Sequence, residues 1–433
     1  MEKIIEFLNK NFDEFELYEE DSEYKDVSFE SNKLKELSSK QSNGIGVRAI
    51  KNAEMTFAST SNYNLAEFKK IINELKKFSI KTKVKFPELK ESKQVKIYSE
   101  DTYNLSNEYM IEIIDKSIKK VKKSSPNVLC DATYSLGRSK ARLQNSSNMD
   151  LKFLESAASF FISCQIINNN DMLNIWDGFS SVKQIDANKI DAIVNDMIKN
   201  LKIAQNLKDP PTSNCPVVFT PGGLFQTLIS PMLVSTNGTN LSKKLSPLYS
   251  REGEKILDGK ITLIDNPHID FSPSSSMYDA EGIPTKSKKI FENGIFINGI
   301  YDLKSGSEAG TESTGSAQRS IHSLPSPGIS NLIMEKGDIK FSDLVKNISE
   351  GIIVDELLGA GQGNELSGDF SANISLGYKI ENGEIVGRIK DTMISGNCFK
   401  ALEKIDHLSK DTKNLYGRIE LPFLQTENIE ITS

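Results

Sequence analysis

The sequence predicts an α+β fold, with N-terminal α/β units of helices and antiparallel strands followed by a mostly β C-terminal domain. Three observations lead there. Apolar residues recur at helical spacing in the first half, as in Met110, Ile111, Ile114, Ile118 and Val121. Between such stretches, apolar and polar residues alternate as half-buried strands do. Beyond the break Lys208-Asp209-Pro210-Pro211-Thr212-Ser213, glycine, serine and strand patterns dominate, and consecutive prolines suit neither helix nor sheet interior.

Taken in order, Ile4, Ile5, Leu8 and Phe12 mark an amphipathic N-terminal helix. Phe15 with Leu17, then Val27 with Phe29, read as strands. Ser42-Asn43-Gly44 reads as a turn into a strand ending at Ile50, with a return strand over Met55 to Ser59 and a helix over Leu65 to Phe78. Ser79 to Tyr103 is a lysine-rich connection to a second unit. That unit has a helix over Asn107 to Lys122, strands over Val128 to Ser135, Ala141 to Asn145 and Leu151 to Ile167, and a helix over Ile190 to Leu207. The expected domains are therefore 1–103, 104–209 and 210–433. The last holds short helices after Pro221-Gly222-Gly223 and over Phe341 to Ser349.

Composition narrows the function. At 433 residues the chain exceeds one ordinary core. Its 53 Lys plus Arg face 59 Asp plus Glu, a formal charge of −6, which argues against a nucleic-acid binder held by a general positive field. No apolar run approaches a membrane span, and Met1-Glu2-Lys3 does not resemble a signal peptide, so a cytoplasmic location is expected. Cys130, Cys164, Cys215 and Cys398 are scattered without a Cys-x-x-Cys pair, as are His268, His322 and His407. Buried thiols fit better than disulfides or a zinc site.

Gly359 to Asn397 packs eight glycines among alternating apolar residues. Asn382-Gly383, between Glu381 and Glu384, is the central pair of a hairpin turn. Gly359-Ala360-Gly361-Gln362-Gly363 lacks the following helix of a phosphate loop and reads as a strand connection. Asp355 with Glu356 and Asp279 with Glu281 are acidic pairs, read as parts of solvated loops. His322 lies among Ser320 and Ser323, but no Gly-x-Ser-x-Gly elbow supports a serine hydrolase. Leu224, Phe225, Leu228, Ile229 and Met232 give a packing helix.

Several stretches, in order, resemble the TldD/PmbA family of proteins linked to peptide degradation and maturation. They are Asn43-Gly44-Ile45-Gly46-Val47-Arg48 with Phe57-Ala58-Ser59-Thr60-Ser61, Leu245-Ser246-Pro247-Leu248, Asp279-Ala280-Glu281-Gly282-Ile283-Pro284-Thr285, Leu366-Ser367-Gly368-Asp369-Phe370-Ser371, Ile380-Glu381-Asn382-Gly383 and Ile394-Ser395-Gly396-Asn397. The resemblance implies two kinds of member. One is a zinc peptidase with a His-Glu-x-x-x-His helix and a cysteine near the C-terminus, in which zinc polarises the scissile carbonyl and activates water. The other, PmbA/TldE-like, lacks that site and pairs with the first.

The corresponding helix here is Phe225 to Ser230, with Phe225, Gln226 and Ser230 at the motif positions, and Ser409 to Phe423 holds no cysteine. The resemblance therefore implies the PmbA/TldE-like branch: no catalytic, metal or cofactor residue in this chain, zinc in a paralogous partner, and an unfolded or extended peptide as substrate. The partner would be a TldD-like paralogue or a second copy, with neither nucleic acid nor membrane. Phe370, Ser371, Asn382 and Gly383 are expected in a chamber wall or interface. Two alternatives stand beside this: a homodimeric peptide-binding module without hydrolysis, and a peptidase with an undescribed site.

Overall fold

The computed structural model describes residues 1–168, 171–211 and 215–432; Thr212 and Ser213 of the expected linker lie outside the described residues. The first part runs α1 (Glu2–Asn11), β1 (Glu14–Glu30), β2 (Lys33–Lys51), β3 (Glu54–Thr60), α2 (Leu65–Leu75), β4 (Ile80–Lys81), α3 (Glu100–Tyr103), α4 (Asn107–Ser124), β5 (Leu129–Asn145), β6 (Asp150–Asn168), β7 (Asp171–Ser181) and α5 (Ala187–Ala204). Its strands form one antiparallel sheet in the order β4-β3-β2-β1-β5-β6-β7. Strands from both sides of the 103/104 division thus share a sheet. Helix starts follow from local chemistry: Asn64, Ser106 and Asp186 accept backbone N–H groups of the first turns of α2, α4 and α5.

The second part begins with β8 (Val217–Phe219), α6 (Pro221–Leu224), α7 (Ser230–Thr236) and α8 (Gly238–Ser242). Then come β9 (Leu263–Asp265), β10 (Lys288–Glu292), β11 (Ile295–Phe296), α9 (Leu303–Ala309), β12 (Ala317–Gln318), β13 (Ser326–Pro327), β14 (Leu332–Met334) and α10 (Phe341–Lys346). The chain closes with β15 (Glu350–Leu358), β16 (Asp369–Glu381), β17 (Glu384–Arg388), β18 (Met393–Asn397), α11 (Cys398–Glu403), β19 (His407–Leu415), β20 (Ile419–Thr426) and β21 (Glu430–Thr432). Most of these strands form a mixed sheet ordered β11-β10-β9-β14-β20-β8-β15-β16-β18-β21, with β17 on β16 and β19 on β20. The α+β class with a mostly β C-terminal region holds.

The two sheets are joined by a shared core. Met110, Ile114 and Ile118 of α4 and Ile190, Val194 and Met197 of α5 pack with Tyr134, Phe160 and Ile175 of the first sheet. The same apolar cluster includes Ile353, Leu376, Tyr378 and Ile380 of the second. The helix pair is therefore apolar on more than one side, which fixes β7 opposite β15 and creates the cleft described below.

Several local expectations need correction. The β1–β2 hairpin turns at Ser31 and Asn32, whose φ values are 49° and 70°, and Ser42-Asn43-Gly44 lies within β2, held by β1 pairing along its length. The expected strands over Val128 to Ser135 and Ala141 to Asn145 merge into one strand, β5, which begins at Leu129. Its polar centre, Gly137 to Lys140, bonds to β1 on one side and β6 on the other, so paired backbone overrides side-chain polarity. The scattered cysteines are not all apart: β5–β6 register sets Cys130 opposite Cys164, with their Sγ atoms 3.4 Å apart as free thiols. The Asn382-Gly383 turn is as expected, with φ 50° and 78° between β16 and β17.

Candidate functional site

Where β7 and α5 face β15, β19 and β20 lies a cavity of about 290 Å³. Its walls are aromatic and its floor acidic. Trp176 stacks on Tyr416 with ring centres 5.7 Å apart and planes 3° from parallel, and Phe341 stacks on Phe423 at 4.1 Å and 25°. Asp177, Asp355 and Glu356 supply the carboxylates, with Asp196 at the rim.

The placement of Asp355 and Glu356 has a backbone cause. Neighbours in a regular strand point to opposite faces. In β15, Val354 pairs with Gly377, Glu356 with Leu376 and Leu357 with Ile374, so the register shifts on each side of Glu356. Such bulges re-aim side chains, and both acids line the same cavity. Asp355 and Glu356 are thus partly buried strand residues; the expectation of a solvated loop is corrected.

The helix beside them is tied to the same bulge. Thr220 caps α6 by accepting the Gly223 N–H at 3.2 Å, and its hydroxyl donates to Asp355 Oδ1 at 2.6 Å. Gly223 permits close helix–strand contact, because a Cβ there would lie 2.3 Å from the Val354 carbonyl oxygen. Phe225–Ile229 then forms a single π turn, the Ser230 N–H bonding to the Phe225 carbonyl. Pro231 explains it: proline lacks the N–H for the next α-helical bond and crowds the preceding turn, which a wider turn relieves. From this turn Gln226 lines the cavity, and its Oε1 accepts the Leu357 N–H at 3.1 Å.

Electrostatics follow from burial. Lys413 donates to Asp177 Oδ2 at 2.7 Å; burial opposes its charge, but Asp177 and neighbouring carboxylates hold its pKa above the usual lysine value. Burial raises Asp355, against the Thr220 hydrogen bond. Burial, reinforced by Asp355 and Asp177, pushes Glu356 up to about 8 despite Lys413. Tyr416 is pushed up to about 12, first by burial, and Tyr378 is raised for the same reason.

A family model described as the PmbA/TldA metallopeptidase C-terminal domain matches residues 212–433, and one described as PmbA/TldA metallopeptidase domain 1 matches residues 15–77. The chain belongs to the TldD/PmbA family. It is similar to an uncharacterized protein of Methanocaldococcus jannaschii, 24% identical over 408 residues and 93% of each chain. It is also similar to a metalloprotease PmbA homologue of Buchnera aphidicola, 27% identical over 281 residues, covering 63% of this chain and 60% of that protein. The crystal structure of TldE from Thermococcus kodakarensis superposes with a TM-score of 0.88 at 25% identity over 100% of both chains.

Within this TldD/PmbA chain the expected site residues separate. Of Phe225, Gln226 and Ser230, only Gln226 lines the cavity; Phe225 packs against the C-terminal core and Ser230 opens α7. Their phenyl, amide and hydroxyl groups do not form a zinc donor set, which calls for imidazole, thiolate or carboxylate, and the Gln226 oxygen is already engaged by Leu357. Among the described residues no three His, Cys, Asp or Glu side chains group closely enough to share a metal ion.

Phe370 is buried in the C-terminal core and Ser371 is exposed beside it, paired with Ser395. Asn382 and Gly383 lie at the other end of β16, their N–H groups bonded to the Ser349 and Ile348 carbonyls. The hairpin reaches the cleft through Tyr378 and Ile385. His322 Nδ1 lies 3.3 Å from Ser59 Oγ on the surface, and no carboxylate hydrogen-bonds to that histidine among the described residues.

The second acidic pair, Asp279 and Glu281, does lie in a loop, but it is buried instead of solvated. Glu281 Oε1 meets Arg48 Nη1 at 2.6 Å, while Glu16 Oε2 meets Arg48 Nη2 at 2.6 Å and Glu16 Oε1 is also bound by Arg319. Asp279 accepts the N–H groups of Glu281, Ile283 and Ala317 at 2.9 to 3.0 Å. Burial pushes Asp279 up to about 6 and Glu281 up to about 7, the latter against Arg48. Two of the quoted sequence stretches thus meet in a buried ion cluster that ties β2 to the C-terminal part.

Sequence reasoning missed β7, and with it Trp176 and Asp177, as well as Tyr378, Lys413 and Tyr416. A signal existed for β7: Leu173 and Ile175 alternate with polar residues beside the chain's one tryptophan.

Proposed function

We propose that this chain is a PmbA/TldE-like subunit of a TldD/PmbA-type metallopeptidase system, handling unfolded or extended peptides in the cytoplasm without a metal site of its own. One observation carries the reading. The Phe225–Ser230 helix faces an open cleft with an amide, Gln226, at the position where the family motif has its glutamate base. Gln226 neither takes up a proton at neutral pH nor ligates zinc as an anion, so the geometry favours holding a peptide over cutting it.

The metal would then reside in a paralogous partner, and this chain would help enclose and present the peptide. β7 supports the second role. It ends the seven-stranded sheet, bonded to β6 on one side, while contributing Trp176 and Asp177 to the cavity. Main-chain pairing along a terminal strand accepts many sequences, as extended-peptide recognition requires. Among the described residues no helix is long and apolar enough to cross a membrane.

Elemental analysis of the purified chain, run with equilibrium binding of an unfolded peptide and mass spectrometry of that peptide afterwards, tests the reading. Binding of an intact peptide by metal-free protein is expected. One tightly held zinc per chain with cleavage of the peptide would overturn it.

A further inference from the structure

The cavity carries chemistry that a generic peptide cleft does not need. Asp177 is neutralised by Lys413, and Asp355 uses Oδ1 on Thr220. Glu356 takes no hydrogen bond or ion pair among the described residues, and neither does Asp355 Oδ2. Tyr378 is 5% exposed and lines the same cavity, yet its hydroxyl has no hydrogen-bond partner among the described residues. A buried polar group left unpaired is costly, so a ligand atom that reached this hydroxyl, which is closed off from solvent, would relieve a cost that the protein otherwise carries. Burial and the nearby acids keep it protonated, with its oxygen free to accept.

A ligand matching these groups must donate several hydrogen bonds, carry positive charge and present an apolar stem. A primary ammonium offers three N–H donors and a guanidinium five. The stacked faces of Trp176 and Tyr416, with Met197 and Ile203, suit a methylene chain and favour a cation near a π face. A bare metal ion fits less well, since no three carboxylate, thiol or imidazole groups converge among the described residues. At about 290 Å³ the cavity is at the small end for ligand sites, which run from about 300 Å³ upward. It suits one side chain or one chain end, with the rest of a peptide lying outside.

We propose that this cavity is a subsite for the organic cation of a peptide, a lysine or arginine side chain or the N-terminal ammonium, held by Glu356, Asp355 and Tyr378 against the Trp176–Tyr416 wall. The inference rests on the peptide-handling reading above and adds a charge preference to it.

Trp176, the single tryptophan, reports occupancy by its fluorescence. The probes are blocked pentapeptides with lysine, arginine, norleucine or glutamate at the centre of alanines, the norleucine peptide with a free N-terminus, and N-acetyl-lysine methylamide. A desolvated charged hydrogen bond corresponds to a preference of about ten-fold or more. Lysine and arginine peptides should therefore bind at least about ten-fold tighter than blocked norleucine. If only the free-amine peptide shows that gain, the cation is the N-terminus; if only the internal ones do, it is a side chain.

Glu356→Gln and Asp355→Asn should each shrink the arginine-to-norleucine ratio toward one. The arginine peptide should tighten in the wild type as pH rises from 6 to 9, because Glu356 gains its charge there. Asp355, Asp177, Asp196, Lys199, Lys413, Tyr378 and Tyr416 face it from the surrounding elements. Glu356→Gln should flatten that rise, and the wild-type pH series stands alone should the variant melt early.

Equal binding of the lysine, arginine, blocked norleucine and free-amine norleucine peptides would overturn the cation subsite and leave the peptide reading intact. Binding of N-acetyl-lysine methylamide alone, dependent on Glu356, would keep the subsite and overturn the peptide reading. Failure of every probe to bind would overturn both.

Discussion

Replacing Arg48 with methionine should cost the protein several kcal/mol. The Arg48 side chain is 2% exposed and lies between the Glu16 and Glu281 carboxylates, each at 2.6 Å. Methionine preserves much of the apolar stem but removes the guanidinium, which also lies over the Phe86 ring at 5.0 Å, so the main loss is charge. Glu16 keeps Arg319, whereas Glu281 loses its ion pair. Breaking one side of a buried ion pair costs about 3–5 kcal/mol. With an unfolding entropy of about 2.1 cal/mol/K per residue over 433 residues, roughly 0.9 kcal/mol/K, the midpoint should fall by about 4 °C if the chain melts as one unit.

Differential scanning calorimetry at pH 8 and pH 5 provides the assay, with Glu281→Gln and the double variant completing a cycle. The penalty should be largest at pH 8 and smaller at pH 5, where the stranded Glu281, already pushed up to about 7 by burial, takes a proton. Glu281→Gln should recover part of the loss in the Arg48→Met background. A shift under about 1 °C at pH 8, or no recovery in the double variant, would refute the view that this cluster fastens the two parts together.

Other outcomes follow from the same geometry. Glu356→Gln should melt higher than the wild type at pH 9, with the gap closing toward pH 5. The folded-state pKa of about 8 is above the unfolded value of about 4.3, so stability present at low pH is lost as pH rises between them; identical melting curves at pH 9 would contradict this. Gly383→Ala should destabilise by about 1–2 kcal/mol, since φ is 78° and the new Cβ would lie 2.8 Å from the Lys346 carbonyl oxygen; a neutral result in urea titration would contradict it. Thiol titration of the native protein should label Cys215 alone, and slowly, because Cys130, Cys164 and Cys398 are buried and burial pushes the Cys215 thiol up to about 11. Rapid labelling of two or more thiols would contradict it.

The sequence was legible where one local rule dominates. Asn382-Gly383 demands a turn because of its positive φ preference, and α4 announces itself through 3.6-residue periodicity and Ser106. It was illegible where tertiary pairing overrides local character. The polar stretch Gly137 to Lys140 is strand because partners bond to both of its edges. Asp355 and Glu356 look like any acidic surface pair until bulges in β15 turn both into the cleft, and Asp279 with Glu281 looks the same until Arg48, 233 positions earlier in the chain than Glu281, pairs with it. The apolar spacing around Phe225 to Ser230 predicts a packing helix. Leu228, Ile229 and Met232 do pack, but Gln226 faces the cleft.

The central claim is that this chain holds peptides for a metal-bearing relative without cutting them. It is tested most directly by incubating the purified chain with an unfolded peptide, alone and with a His-Glu-x-x-x-His paralogue from the same genome, with and without a chelator. Cleavage only in the mixture, abolished by the chelator, is the predicted result. Cleavage by this chain alone that survives the chelator would contradict it.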